Sequence, residues 1–381
     1  MITPVTPDES QRRGVLDESP AASAAPMCAA ARSAPPARAP LGAAHRFLPP
    51  ERLPLLVTGI TGVAGYNAWH YFRQRYPGRV VGLVPVQNRL LRGEGIVAGA
   101  LEDRRAVRRL VERHGFGSVL NCAGNCALKP CELDPSLAWR TNVDGLASLV
   151  DALAGRSVRL VHLSVDLVYS GSGVGGYVED DPTDPVTVYG RTMVAAEELL
   201  MAADPAACLV RISLPMGISL NGHAGAIDWI QSRFRRGLPA TLYYDEVRTP
   251  TYTDCLNRLF EELLTRPLAG LYHAGGPRRL SLYQIAQIVN RVGGYDPDCL
   301  RGCPRSDAGP LPPRAGNVSL HSRRLAEALG YEPLDPWPHD PRLVPTDQEW
   351  HRRRPRGEEG SPQWLAQVLY SNPRRGSESC A

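Results

Sequence analysis

Residues 58–65 read Thr58-Gly59-Ile60-Thr61-Gly62-Val63-Ala64-Gly65. An apolar run at 53–58 leads into this stretch, and an aromatic-rich run at 66–75 with helical character leaves it. A glycine triplet between a strand and a helix, at the start of an alternating pattern, is the sequence mark of a dinucleotide-binding turn. Gly59 permits the tight turn, Gly62 lets a pyrophosphate approach the backbone, and Gly65 lets helix and strand pack closely. The helix N-terminus adds free N–H groups and the positive end of a dipole. Thr61, Val63 and Ala64 share the turn and join the glycines as expected cofactor-binding residues.

Outward from the turn, strands are predicted at 79–84, 95–98, 118–122, 159–164 and 208–212, and helices at 104–114, 137–153 and 188–203. Buried-type strands alternating with helices predict an α/β protein built on a doubly wound parallel Rossmann sheet. After Leu214 the rhythm breaks into shorter pieces, which suits a small C-terminal substrate lobe over the carboxyl ends of the strands. The expected division is a leader at 1–48, an NAD(P)-binding domain at 49–214, a small lobe at 215–340 with elements partly returning to the main sheet, and an irregular tail at 341–381. Within the tail only 363–370 looks helical. The leader is rich in Ala, Pro, Ser and Arg and has no apolar period, so it is expected to be disordered, with Met27 as an alternative start.

A chain of 381 residues can hold one large α/β domain or a domain with a lobe. Its formal net charge of +4 gives no reason to expect a nucleic-acid or membrane partner. No apolar run approaches the ~20 residues that a spanning helix needs. The N-terminus lacks the compact apolar region of a secretory signal. The nine cysteines follow no disulfide rhythm, so reduced thiols in a cytoplasm are expected. Cys122, Cys126 and Cys131 match no zinc spacing and have no histidine near them. No metal is expected there, nor at Cys299 and Cys303.

The strand at 79–84 ends Gly82-Leu83-Val84-Pro85. It lacks the acid that binds a free ribose 2′-hydroxyl, and Arg89 and Arg92 follow, which tilts the cofactor toward NADP over NAD. Both arginines read equally well as solvated surface charge.

Further segments carry a resemblance. Asn121-Cys122-Ala123-Gly124, Leu163-Ser164-Val165-Asp166-Leu167-Val168-Tyr169-Ser170-Gly171, the stretch 182–197 around Val188-Tyr189-Gly190, Arg248-Thr249-Pro250-Thr251-Tyr252 and Gly270-Leu271-Tyr272-His273 resemble segments of the dTDP-4-dehydrorhamnose reductases. These belong to the extended short-chain dehydrogenase/reductase superfamily, and the likeness runs from about residue 53 to 333. It implies Leu101, Asn121, Ala123, Gly124 and Tyr189 as further cofactor neighbours, and Arg248 and Thr249 as substrate residues. The chemistry it implies uses a tyrosine that protonates the substrate carbonyl, a lysine that holds the nicotinamide ribose, and a serine or threonine that hydrogen-bonds the carbonyl. The tyrosine is Tyr189. The lysine position is Met193, the threonine position is Val165, and the aspartate expected after the third strand is Ala100. Ser164 is a second catalytic candidate. Neighbours on a strand point to opposite faces, which makes a structural hydroxyl the stronger reading.

An unperturbed phenol is already protonated at neutral pH, so loss of the lysine harms oxidation more than reduction. Two readings follow. One is an NAD(P)H-dependent reductase of a nucleotide-linked keto sugar with a weakened triad. The other is a cofactor-binding regulatory or scaffold subunit without turnover, as in the regulatory subunit of methionine adenosyltransferase, a relative. Epimerisation or dehydration needs an ionised tyrosine and fits the missing lysine less well. The partner expected is a small molecule, with a homodimer left open.

Overall fold

The computed structural model describes residues 47–372 except 89, 221–224, 355, 356 and 358, so the leader at 1–46 and Arg89 lie outside the described residues. Among these residues seven strands form one sheet. They are β1 (Leu55–Thr58), β2 (Val80–Val84), β3 (Ile96–Ala98), β4 (Ser118–Asn121), β5 (Arg159–Val165), β6 (Cys208–Ile212) and β7 (Gly270–Ala274). Their order is β7-β6-β5-β4-β1-β2-β3, with every pairing parallel. β1, β2, β4 and β6 are buried at every position, as strands covered on both faces must be.

The covering helices are α1 (Val63–Arg75), α2 (Arg104–His114), α3 (Gly145–Leu153), α4 (Val188–Ala203) and α6 (Thr253–Thr265), while α5 (Ala226–Arg235) and α7 (Leu282–Val292) pack with the short strands of the lobe. Alternation along each strand sends residues to the two faces in turn. Leu55, Val57, Leu120 and Val161 pack with Trp69 and Phe72 of α1 and Leu259 and Leu263 of α6. Leu56, Val119 and Leu160 pack with Val107 of α2, Leu149 of α3 and Leu200 of α4. The helix ends follow local chemistry. Asp103 caps α2 by accepting from Ala106 N at 3.0 Å, and Gly115 closes the helix in the left-handed conformation, φ 57°.

From β1 the chain runs to β2 on one side, while β4 pairs on the other. The switch point between β1 and β4 is where ligands of such sheets bind. After β6 come short pairings that sequence periodicity cannot register: Pro215–Met216 with Thr251–Tyr252, Val247–Arg248 with Leu280–Ser281, and Ala240–Tyr243 with Leu300–Cys303. β7 then returns to the main sheet beside β6. The described residues from 341 to 372 lie on the lobe as a strap, with Leu343, Trp350, Leu365 and Leu369 buried. Among the described residues no helix is long and apolar enough to cross a membrane.

Two boundaries differ from expectation. α1 begins at Val63, ahead of the aromatic run at 66–75, because close packing of Gly65 on Gly59 draws the glycine-rich turn into the helix despite its poor propensity. The helix expected at 137–153 begins as Pro135–Trp139, passes through a π turn at Arg140–Asp144 and continues as α3.

Candidate active site

Gly59 has φ +65°, and a Cβ there would stand 2.3 Å from the carbonyl oxygen of Cys122. Backbone conformation and the turn after β4 both reserve this position for glycine. A Cβ at Gly65 would meet the Gly59 carbonyl oxygen at 2.3 Å. Gly62 differs, because a Cβ there would meet only the Gly59 oxygen, at an ordinary 3.6 Å. Nothing in the packing requires glycine at 62, and the space beside it is open. Gly62 is also the N-cap of α1, with no side-chain cap and no acid in the first turn. The free N–H groups there fit a pyrophosphate. Thr61 and Ala64 are half-buried, and Val63 is buried.

Asn121 ends β4. Its Oδ1 accepts from Thr58 Oγ1 at 2.5 Å and Ala123 N at 3.3 Å, and its Nδ2 lies 2.8 Å from His162 Nδ1. The Asn121 amide thus ties β1, β4 and β5 together. Burial pushes the His162 imidazole down to about 4, so it is neutral near pH 7. Gly124 lies beside Asn142, a residue that the sequence reading did not single out. Asn142 Oδ1 accepts from Asn125 N at 2.7 Å, and its Nδ2 donates to Thr192 Oγ1 at 2.8 Å. Thr192 donates in turn to the carbonyl of Tyr189 at 2.8 Å. Asn142 sits in the π turn, a distortion that often marks function, and an asparagine inside a helical stretch is the signal that could have found it. Leu101 packs into the helix layer, where a Cβ on Gly145 would stand 3.1 Å from its own.

Tyr189 belongs to the first turn of α4. Thr187 caps that turn by accepting from Gly190 N at 2.9 Å, and Glu132 Oε1 accepts from Val188 N at 2.6 Å. Gly190 presses on the Asp166–Val168 turn after β5, where a Cβ would meet the Leu167 carbonyl oxygen at 2.2 Å. Tyr189 is 6% exposed, and its phenol has no hydrogen-bond partner among the described residues. Burial, with Cys126 and Asp166 adding to it, holds its pKa well above the ordinary tyrosine value. The phenol therefore stays protonated near neutral pH. Met193, one turn on, is 3% exposed and packs in an apolar cluster with Tyr189, Leu167 and Val165.

Ser164 is fully buried and donates its hydroxyl to Glu197. Glu197 also holds Arg211, at 2.9 Å from Nε and 2.6 Å from Nη2. Arg248 is 4% exposed and pairs with Asp166 at 2.6 Å and Glu246 at 2.8 Å. Burial alone would lower its pKa, but the two carboxylates outweigh burial and raise it. Arg248 Nε is buried without a partner. Thr249 N donates to Ser213 Oγ at 3.1 Å, and Thr249 Oγ1 accepts from Leu320 N at 3.3 Å. The structure thus brings the glycine turn to the Asn121–Ala123 turn at the switch point, and Tyr189 to the Asp166 turn. It places Arg248 and Thr249 inside the protein, with their polar groups largely engaged. Glu197, Arg211, Asp166 and Glu246 complete two buried ion networks that no local sequence pattern announces. Among the described residues no group of three or more His, Cys, Asp or Glu side chains is arranged to hold a metal.

Comparisons with known proteins give the family and the fold. Residues 53–342 match the family described as RmlD substrate binding domain. A dTDP-4-dehydrorhamnose reductase of Mycolicibacterium smegmatis is 31% identical over 68% of this chain and 80% of its own length. One from Streptomyces griseus is 30% identical over 74% and 90%. Among solved structures, a dTDP-4-dehydrorhamnose reductase of Bacillus anthracis in complex with NADP aligns with a TM-score of 0.62 at 18% identity, covering 74% of this chain and 95% of that one. A UDP-glucose 4-epimerase of Thermus thermophilus with NAD aligns at 0.64 and 23%, covering 78% and 96%. At these identities the structural likeness shows the fold.

Proposed function

The chain belongs to the RmlD substrate binding domain family, and from that premise we propose that it reduces a keto sugar linked to a nucleoside diphosphate, with NADPH or NADH as the hydride source and Tyr189 as the proton donor. The observation that carries this reading is the Tyr189 phenol. It is held protonated, lacks an internal partner and stands at the carboxyl ends of the strands. A bound nicotinamide would supply the hydride. The part of the chain's own residues is to seat the pyrophosphate at Gly62 and to give the phenol proton to the carbonyl oxygen as it gains charge. The solved and curated relatives that act on nucleotide sugars or hold NADP or NAD support the substrate class and the cofactor pair. The absence of an acid at the end of β2, with Arg92 exposed nearby, favours NADPH.

A second reading is a cofactor-binding subunit without turnover. The observation that favours it is the apolar packing of Met193 and Val165 around Tyr189, which leaves the phenol without the lysine and hydroxyl that the resemblance implies. Purified protein mixed with NADPH and a nucleotide-linked 4-keto sugar separates the two. Binding followed by loss of the reduced-nicotinamide absorbance supports the reductase. Binding with no turnover supports the subunit, and no binding overturns both.

A further inference from the structure

The family match ends at residue 342, yet the described chain continues to Asn372. That continuation is a fastened strap. Ser361 N donates to Val292 O at 2.9 Å, Tyr252 Oη to Val368 O at 3.0 Å, and Trp337 Nε1 to Leu369 O at 2.8 Å. Its Leu365 and Leu369 are fully buried. Near its end Tyr370 Oη lies 3.1 Å from Asp228 Oδ1 and 3.4 Å from Gln231 Oε1, both on α5.

Asp228 faces two ways. While Oδ1 takes the phenol, Oδ2 accepts from Gly225 N at 3.2 Å, the N-cap of α5. Gly225 in turn abuts the glycine turn, since a Cβ on it would stand 3.1 Å from Val63 Cγ2. Val63 is the first residue of α1, next to the Gly62 cap. A second tie runs alongside, with Asn67 Nδ2 donating to the carbonyls of Val63 and Ile218, both at 2.7 Å. The path from strap to turn is therefore Tyr370, Asp228, Gly225, Val63. A neutral phenol donating to a carboxylate is a strong, directional bond in a buried setting, and Asp228 is 6% exposed.

We propose that Tyr370 is a positioning residue for the phosphate-binding turn, fixing the start of α5 against the first residue of α1 through Asp228. The proposal rests on the reading of that turn as a dinucleotide site. It makes the C-terminal strap part of the cofactor-binding apparatus in this chain. Removing the phenol leaves Asp228 to cap α5 alone and lets Gly225 move away from Val63.

The test compares full-length Tyr370→Phe with Tyr252→Phe, which loses a strap bond to Val368 away from α5. NADPH affinity is measured by titration, unfolding by thermal melt, and backbone exchange at 63–66 and 225–228 by hydrogen–deuterium mass spectrometry without cofactor. The expected result is about a fivefold higher Kd for Tyr370→Phe, with faster exchange at both segments. Tyr252→Phe melts earlier but keeps the wild-type Kd. An unchanged Kd and unchanged exchange in folded Tyr370→Phe overturn the proposal, as do equal losses of affinity in both variants. If the wild type binds no NADPH, the dinucleotide reading falls, and exchange at 63–66 alone decides whether Tyr370 positions the turn.

Discussion

Ser164 donates its hydroxyl to Glu197, the carboxylate that also holds Arg211 on the neighbouring strand β6. The bond spends the hydroxyl that sequence proximity offers to the active site on a buried ion network. We expect Ser164→Ala to lower unfolding free energy by about 1.5–3 kcal/mol, the usual worth of a hydrogen bond to a charged group, while turnover changes little. Denaturant melts and initial rates check this. A stable variant slowed by ~10²–10³ would instead identify Ser164 as a carbonyl donor.

The glycines of the first turn separate by substitution. Gly59→Ala is expected to destabilise the fold, because its Cβ would enter the Cys122 carbonyl and its φ is +65°. Gly62→Val is expected to fold and lose NADPH binding, because only the ligand's space is filled. Circular dichroism with a binding titration reads both. Wild-type affinity in Gly62→Val would move the pyrophosphate elsewhere.

Met193→Lys tests the vacant lysine position. Residues four apart on a helix lie on one face, so the ammonium would stand one turn from Tyr189. The cluster with Leu167 and Val165 is apolar, so the variant should melt earlier, by the several kcal/mol that a buried cation costs or by discharging the lysine. Oxidation of the sugar alcohol should gain more than reduction, since it needs phenolate. Val165→Thr should add to the gain. Folded single and double variants with no activity in either direction would favour the subunit reading.

Much of the fold is legible because its periods are local. The helices Arg104–His114 and Val188–Ala203 and the strand Cys208–Ile212 stand where their patterns place them. Three features were hidden for separate physical reasons. The pairing of Ala240–Tyr243 with Leu300–Cys303 joins stretches far apart in the chain, so neither carries its partner's register. Arg248, a substrate residue by resemblance, carries no local sign of its pairing with Asp166, which lies far from it in the chain. The Pro- and Arg-rich composition of the tail conceals Leu365 and Leu369, whose burial depends on the lobe beneath. At the site, the glycine turn and Tyr189 are visible as motifs. Asn142 becomes visible only once the π turn lays it between Asn125 and Thr192.

Stability should fall at both ends of the pH scale. His162 and His273 are held down to about 4 and about 3, each chiefly by burial. Their unfolded forms take protons from pH 6.5 downward while the folded forms do not, so stability present above pH 6.5 is lost as pH falls through 4. At the other end, burial and a hydrogen bond to Glu261 push Tyr76 up to about 12, against 10.0 when unfolded. The folded state then keeps a proton that the unfolded state releases, and stability falls between pH 10 and 12. Chemical denaturation across this range checks both arms. His162→Asn should flatten the acid arm, and an unaltered acid arm in that variant would contradict the assignment.

The most direct test of the central claim is single-turnover reduction of a nucleotide-linked 4-keto sugar by Tyr189→Phe with saturating NADPH at neutral pH. Tyr189 as proton donor predicts wild-type NADPH affinity and a rate lower by ~10²–10⁴. It also predicts that the wild-type rate shows no tyrosine ionisation from pH 6 to 9, since burial holds the phenol protonated. A Tyr189→Phe enzyme that reduces the sugar at the wild-type rate would contradict the account.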